Sequence, residues 1–508
     1  MRHAMTCWAV LVAVGAAGGE QIRRPNLVIL VADDHRASAC GVYGSKLVRT
    51  PNLDQLAREG IRFDRAYCNA PICTPSRQSF LTGRYPHAVG VTLLQHALSE
   101  EAYTLAERLR GAGYRTGAFG KTHFNSDKLH GFEVHRTPEE FWRTHGRRAA
   151  DRPLPAGVEV YQRGRPFVDP ARVWLNSMGL PVGRYDDEMP ESWYVRQAAE
   201  FMKAHRDEPF FIQMGFHQPH SPFQFPVDWP NRCNPQDTTA PCIGPEDVPQ
   251  IPRVFASLST AERQGIIASY LTAVAYLDSK VGQLLSAIDE LRLRDNTVVV
   301  YLGDNGYHLG EHGRFEKHCL YENAVRVPLI MRFPERIRAG LSSAALVELV
   351  DIVPTVLDYL GVPFDRNDAP PRDLHGCSLR PLIEGQVPKV RDEAFSEYQH
   401  TSEAMVRTDR FKLIYRTANG VGDWIGYEEI MPPKGRLIKL FDVQADPDEY
   451  RNLAGDSKYA DVVSALLDKL ADWYRRIPPV GEPPPANLSR EAFLDWAIPP
   501  REAGPVPR

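Results

Sequence analysis

Cys73-Thr74-Pro75-Ser76-Arg77 sets a cysteine four residues before an arginine, with proline between them, and Leu81-Thr82-Gly83-Arg84 follows closely. Taken alone, a cysteine in such a turn is a small buried apolar group. Two other clusters change the weighing. The apolar run Asn26 to Ala32 ends in Asp33-Asp34-His35, and the run Thr297 to Leu302 ends in Gly303-Asp304-Asn305-Gly306. Adjacent carboxylates repel unless a cation neutralises them. Three carboxylates and one amide oxygen make an all-oxygen set suited to Ca²⁺ or Mg²⁺ rather than Zn²⁺. Each piece has an ordinary alternative, since paired acids cap helices and Asp-Asn-Gly is a common turn. Positive groups follow strand-like stretches elsewhere. Gly120-Lys121-Thr122-His123 stands behind Thr116 to Phe119, His217-Gln218-Pro219-His220-Ser221-Pro222 stands behind Phe210 to Phe216, and Lys317 lies in Leu309 to His318. A lone lysine is usually solvated and a lone histidine structural. Segments that leave strand ends, however, can converge on one cleft.

The composite pattern around Cys73 resembles the signature of the type I sulfatases. In that family a separate enzyme, a formylglycine-generating enzyme or an anaerobic maturase, oxidises the cysteine to 3-oxoalanine (formylglycine). The chemistry explains the need. A serine or cysteine attacking sulfur would leave a covalent ester that is itself hard to cleave. A hydrated aldehyde attacks with one hydroxyl, and the other then expels sulfate by re-forming the aldehyde, which is covalent catalysis with a built-in release step. The resemblance extends to the Gly-Lys-x-His element at Lys121 and His123, the Pro-His-x-Pro loop with His220 at its functional position, and the segment that carries Lys317. It implies one Ca²⁺ held by Asp33, Asp34, Asp304, Asn305 and the modified Cys73. Many relatives carry histidine where Asn305 stands, a mild departure. By the same resemblance Lys121 and Lys317 would hold sulfate oxygens, His123 would help orient the nucleophile, His220 or Lys317 would protonate the leaving alcohol, and Arg77 would orient the formylglycine hydroxyls. His217, His312 and His318 are possible substrate contacts.

Elements that position these groups can be read in the same chain. Uninterrupted apolar runs are the mark of strands buried on both faces of a parallel sheet. Helical stretches Leu53 to Arg58, Leu105 to Ala112, Trp193 to His205 and Ala261 to Leu291 alternate with them. The expected fold is α/β, a large, mixed, mostly parallel sheet flanked by helices, and the resemblance makes it alkaline-phosphatase-like. Residues 25–385 form the expected catalytic domain. After Leu379-Arg380-Pro381-Leu382 the texture changes to short strands at Ala404 to Thr408, Phe411 to Arg416 and Leu437 to Asp442, then a helix at Ala460 to Arg476. Residues 386–480 are therefore expected to be a smaller C-terminal α+β subdomain with an antiparallel sheet. Residues 481–508 are Pro-rich and expected to be extended.

Global numbers narrow the partners. The 508 residues carry a formal net charge of −4 and no long basic run, which makes nucleic acid an unsuitable partner. Residues 1–19 contain Arg2 and His3, then the mostly apolar stretch Ala4 to Ala17, then small residues. That is the layout of a secretory signal peptide, too short to span a bilayer comfortably, with a buried first helix as the alternative. No stable membrane span is expected, and the location is secreted or periplasmic. Of eight cysteines, six remain after Cys7 and Cys73 are set aside, and Cys233 with Cys242 is the first disulfide to expect.

Substrate is the least determined part. The segment Arg143 to Glu188 reads as an inserted loop and carries Arg143, Arg147, Arg148, Arg152, Arg163, Arg165, Arg172 and Arg184. Arginine forks suit the carboxylates and sulfates of a polyanionic sugar, although charged loops usually only solvate. The segments Gly306 to Gly313 and Gly215 to Phe223 look closest to iduronate-2-sulfatases and their bacterial relatives. A sulfated saccharide, with 2-O-sulfated uronic acid leading, is the expected substrate of an exo-acting hydrolase. The alternatives are a phosphonate monoester or phosphodiester hydrolase of the same superfamily, and a non-catalytic binding protein on the same fold.

Overall fold

The computed structural model describes residues 24–146, 152–162, 170–248, 251–364, 374–418 and 435–499. The expected signal peptide and Arg147, Arg148, Arg163 and Arg165 lie outside them. Strand β1 (Asn26–Ala32) is buried along its whole length, as is β6 (Thr297–Gly303). They pair in parallel, and on its other side β1 pairs in parallel with β5 (Phe210–Gly215). β3 (Arg115–Gly120) and β4 (Val134–Arg136) extend the parallel array beyond β5. On the far side β8 (Leu329–Arg332) runs antiparallel to β6, and β2 (Ile61–Tyr67) runs antiparallel to β8, so that β2 points the same way as β1. β7 (Arg326–Val327) is antiparallel to β2 and β9 (Leu341–Glu348) is parallel to it, which completes a nine-stranded sheet. The mixed, mostly parallel sheet is the one that the apolar runs predict, and the architecture is alkaline-phosphatase-like, as the resemblance implies.

Period-two alternation sends successive β1 residues to opposite faces. Leu27, Ile29 and Val31 join a core with Phe80, Leu105, Leu109 and Val353. Val28, Leu30 and Ala32 join another with Ala198, Met202, Val281 and Ile288 from helices Pro190–Ala204 and Thr260–Glu290. Ser259 and Glu262 close a capping box at the start of the 31-residue helix Thr260–Glu290, which satisfies two orphan backbone donors.

A second, four-stranded antiparallel sheet follows, in the order β10 (Ala394–Tyr398), β11 (Glu403–Arg407), β12 (Phe411–Arg416) and β13 (Leu437–Asp442). Its first strand is not among those read from sequence. Helix Ala460–Arg476 covers the sheet with Leu466, Leu470 and Trp473. The tail departs from expectation. Residues 490–497 form a helix, capped by Ser489 accepting from the Ala492 amide, and Phe493, Leu494 and Ala497 are buried in the same core. Prolines at 483–485 dominate the composition, but an apolar stripe just beyond them finds a partner surface. Leu494→Ala should cost about 2–5 kcal/mol, the range for truncating a buried leucine, and a fall in the urea midpoint would register it. An unchanged midpoint would fit an undocked tail instead.

Expected disulfides are also corrected. Cys233 and Cys242 form no disulfide with each other. Cys233 Sγ faces the Leu47 carbonyl oxygen at 3.6 Å, and Cys242 is exposed. A short polar loop between two cysteines does not by itself bring their side chains together.

Candidate functional site

The parallel strands β1, β3, β5 and β6 end on one edge of the sheet, so the residues that follow them are neighbours despite their separation in sequence. Asp33 and Asp34 follow β1, Lys121 follows β3, His217 and His220 follow β5, and Asp304 and Asn305 follow β6. Two backbone features bring them closer. Asp34 has φ 64, a left-handed conformation that aspartate adopts more readily than most residues and that turns the chain just after β1. Gly120 has φ 90, and a Cβ there would lie 2.1 Å from the Gly215 carbonyl oxygen. Only glycine lets the ends of β3 and β5 approach so closely, and this places Lys121 beside the His217 loop.

Cys73 is the first residue of helix Cys73–Thr82, not part of a turn as its prolines suggest. The helix begins after β2 at the same sheet edge and is buried throughout. Arg77, one turn further along, is 1% exposed. Its Nε donates to Asp304 Oδ2 at 2.7 Å and its Nη1 to the Lys121 carbonyl at 2.7 Å, while Nη2 lies 3.8 Å from Asp33 Oδ2. Lys121 Nζ pairs with Asp33 Oδ2. Lys317 Nζ pairs with Asp34 Oδ1 at 2.5 Å. Asn305 Nδ2 also donates to Asp34 Oδ1, at 2.7 Å, and the Asp34 and Asn305 amides both donate to Asp304 Oδ1. His123 Nδ1 meets Thr74 Oγ1 at 3.0 Å, and His220 Nε2 lies 3.9 Å from Asp34 Oδ2. The metal-ligand and catalytic candidates read from the sequence thus lie around one sheet edge.

Burial sets the ionisation of this cluster, and the neighbouring charges correct it. Burial would raise the Asp33 carboxyl, but Lys121, Lys317 and Arg77 outweigh it and hold Asp33 well below the usual carboxylate range. Asp34 is pushed up by burial and by Asp33 beside it, against the pull of Lys317. Asp304 is pushed up to about 6 by burial and by Asp33. His123, His217 and His220 are all held well below the ordinary imidazole range by burial, with nearby Lys121 or Lys317 acting in the same direction. Burial likewise pushes the Cys73 thiol up, against Lys121 and Lys317.

The donor set fits a hard cation. Asp33 Oδ1 and Asn305 Oδ1 are buried and have no hydrogen-bond partner. Buried oxygens of this kind are costly unless an ion or water satisfies them. Donor atoms of Asp33, Asp34 and His220 also lie within 4.8 Å of one another, which adds a histidine to the acids read from sequence. Other supports carry no sequence signal. Ser76 donates to the Asp304 carbonyl, and Gln78 donates to the carbonyls of Thr122 and His123, 3.2 and 2.6 Å away. Both occupy positions where many side chains suit a helix, so only the fold reveals their task. His312 and His318 are engaged elsewhere, with Asp247 Oδ2 at 2.9 Å and Glu316 Oε2 at 3.1 Å respectively. A cavity of about 440 Å³ opens from Lys121 and His217 toward Trp142, Tyr161 and Arg184.

Comparison with known proteins follows the same outline. The family described as Sulfatase matches residues 25–362, and the one described as N-sulphoglucosamine sulphohydrolase, C-terminal, matches residues 310–476. An N-acetylglucosamine-6-O-sulfatase of Bacteroides thetaiotaomicron is 27% identical over 511 residues, covering 89% of this chain and 87% of its own. The iduronate 2-sulfatase of Homo sapiens is 29% identical over 406 residues, covering 68% of this chain and 70% of its own. The crystal structure of a phosphonate monoester hydrolase of Agrobacterium radiobacter superposes with a TM-score of 0.73 at 22% identity, covering 91% of this chain and all of that one. At that identity the likeness speaks for the fold.

Proposed function

The chain belongs to the sulfatase family, and from that premise we propose that it is a secreted or periplasmic, exo-acting sulfatase of saccharides, with Cys73 matured to formylglycine beside a bound Ca²⁺. One observation carries the proposal. Cys73 lies at a helix start in the field of Lys121 and Lys317, in a cluster where Asp33 and Asn305 each bury an oxygen with no hydrogen-bond partner. Matured and hydrated, residue 73 would supply the attacking hydroxyl and, through its second hydroxyl, the means of releasing sulfate. The cation, held by Asp33, Asp34, Asp304, Asn305 and residue 73, would lower the pKa of that hydroxyl and bind a sulfate oxygen.

The remaining roles fall to side chains already in place. Arg77 is fixed by Asp304 and the Lys121 carbonyl, so its guanidinium can orient the nucleophile without reorganising. Lys121 and Lys317 receive sulfate oxygens, each held by a carboxylate of the acid pair. His123, braced by Thr74, helps orient residue 73. His220 or Lys317, both beside Asp34, delivers the proton to the leaving alcohol.

Names of the relatives, an N-acetylglucosamine-6-O-sulfatase and an iduronate 2-sulfatase, support a sulfated saccharide as substrate, and 2-O-sulfated uronic acid is the leading choice. Heparin-type disaccharides sulfated at different positions provide the test, with turnover expected for at least one. Activity confined to aryl sulfates or choline sulfate would remove the saccharide and leave the sulfatase. The fold likeness to a phosphonate monoester hydrolase motivates a parallel assay of an aryl phosphonate, which should be the poorer substrate.

A further inference from the structure

The cavity beside Lys121 and His217 is far larger than a sulfate group needs, and its outer part is built differently from its inner part. Inside are Lys121 and His217. Outside are Trp142, Tyr161, Arg184 and Tyr194, contributed by segments far apart in the chain. Trp142 is 48% exposed, while its neighbours Phe141 and Trp193 are packed away at 1% and 7%. A single exposed indole is ordinary in itself; what sets this one apart is that it lines the cavity that opens from Lys121 and His217. It is also braced. The Arg184 guanidinium sits 5.1 Å from the indole centroid and donates to the carbonyls of His145 and Glu188 at 3.3 and 3.2 Å, and Phe141 meets the ring edge-on at 5.1 Å.

A second, independent feature lines the same cavity. Glu191 is buried, and neither of its carboxylate oxygens has a hydrogen-bond partner in another residue. An aromatic plate and a buried carboxylate that accepts from no other residue, in one cavity, suit a ligand with a flat C–H face and hydroxyl donors. A pyranose ring has both, and a volume of about 440 Å³ accommodates it together with a sulfate group. We propose that this cavity is the leaving-group subsite and that Trp142 is its specificity-determining platform, stacking one sugar ring of the substrate. The inference rests on the saccharide reading above and adds to it the residue that selects a ring over a small alkyl group.

The test compares wild type with Trp142→Ala and Trp142→Phe, using the sulfated disaccharide that wild type hydrolyses best and inorganic sulfate as a product inhibitor. Trp142→Ala should lower kcat/KM for the disaccharide by about 10- to 100-fold, the usual effect of removing an aromatic anchor. Trp142→Phe should retain most of the wild-type value, and the inhibition constant of inorganic sulfate should stay unchanged in both. A kcat/KM within twofold of wild type in the alanine variant would overturn the platform. So would an equal weakening of inorganic sulfate, because the effect would then reach the sulfate pocket and not the sugar. Failure of the underlying reading looks different, since wild type itself would then hydrolyse aryl sulfate and no sulfated sugar. Trp142 is half exposed at the surface, so the variants should melt with wild type, and the melt provides the folding control.

Discussion

Cys73→Ala will fold and will not turn over sulfate esters. The side chain is 2% exposed and occupies the first position of helix Cys73–Thr82. Alanine is the strongest helix former, and a single sulfur atom is lost, so the change in stability should stay near 1 kcal/mol. Turnover should fall by more than about 10⁴-fold, because the group that forms and breaks the bond to sulfur is gone while the surrounding charges remain. Cys73→Ser should be nearly as inactive in a host whose maturase accepts only cysteine. Appreciable activity in the alanine variant, measured with an aryl sulfate after removal of any host sulfatase, would rule out covalent catalysis through this residue.

Removal of the cation should have an effect of similar size and a second readout. Ca²⁺ should raise the melting temperature of the chelator-treated enzyme, since a ligand at 100 times its Kd stabilises the native state by about 2.7 kcal/mol. One equivalent should remain bound after gel filtration. Asp33→Asn keeps the shape of the side chain but removes the charge that faces Lys121, Arg77 and the ion. It should abolish the Ca²⁺-dependent shift and lower kcat by at least about 100-fold. Asn305→Ala should weaken the shift, because it deletes one of the two unsatisfied buried oxygens. A chelator-treated protein with full activity and no calcium response would refute the metal assignment.

Legibility from sequence followed the physics of each part. β1, β5 and β6 were plain because strands covered on both faces read as nearly unbroken apolar runs, and their ends marked Asp33, His220 and Asp304. Helix Thr260–Glu290 was legible as a long amphipathic run from Ala261 to Leu291, whereas its Ser259–Glu262 cap emerged only from the structure. β7 and β8 escaped notice because they are two and four residues long, and β2 because Arg62, Asp64 and Arg65 interrupt its apolar pattern. The helix at 490–497 was hidden by the prolines before it. The cavity was illegible in principle. Its walls come from residues near 142, 161, 184, 191 and 217, and no local pattern links a surface tryptophan to a buried glutamate almost 50 positions away. The disulfide expected between Cys233 and Cys242 failed because sequence proximity does not fix the direction of two side chains.

Mass spectrometry of the peptide that carries Cys73, taken from preparations of differing specific activity, tests the central claim most directly. An aldehyde should stand in place of the thiol at residue 73, in a fraction that rises in proportion to sulfatase activity and reaches zero in inactive material. Full activity from enzyme whose Cys73 is wholly unmodified thiol would contradict that claim.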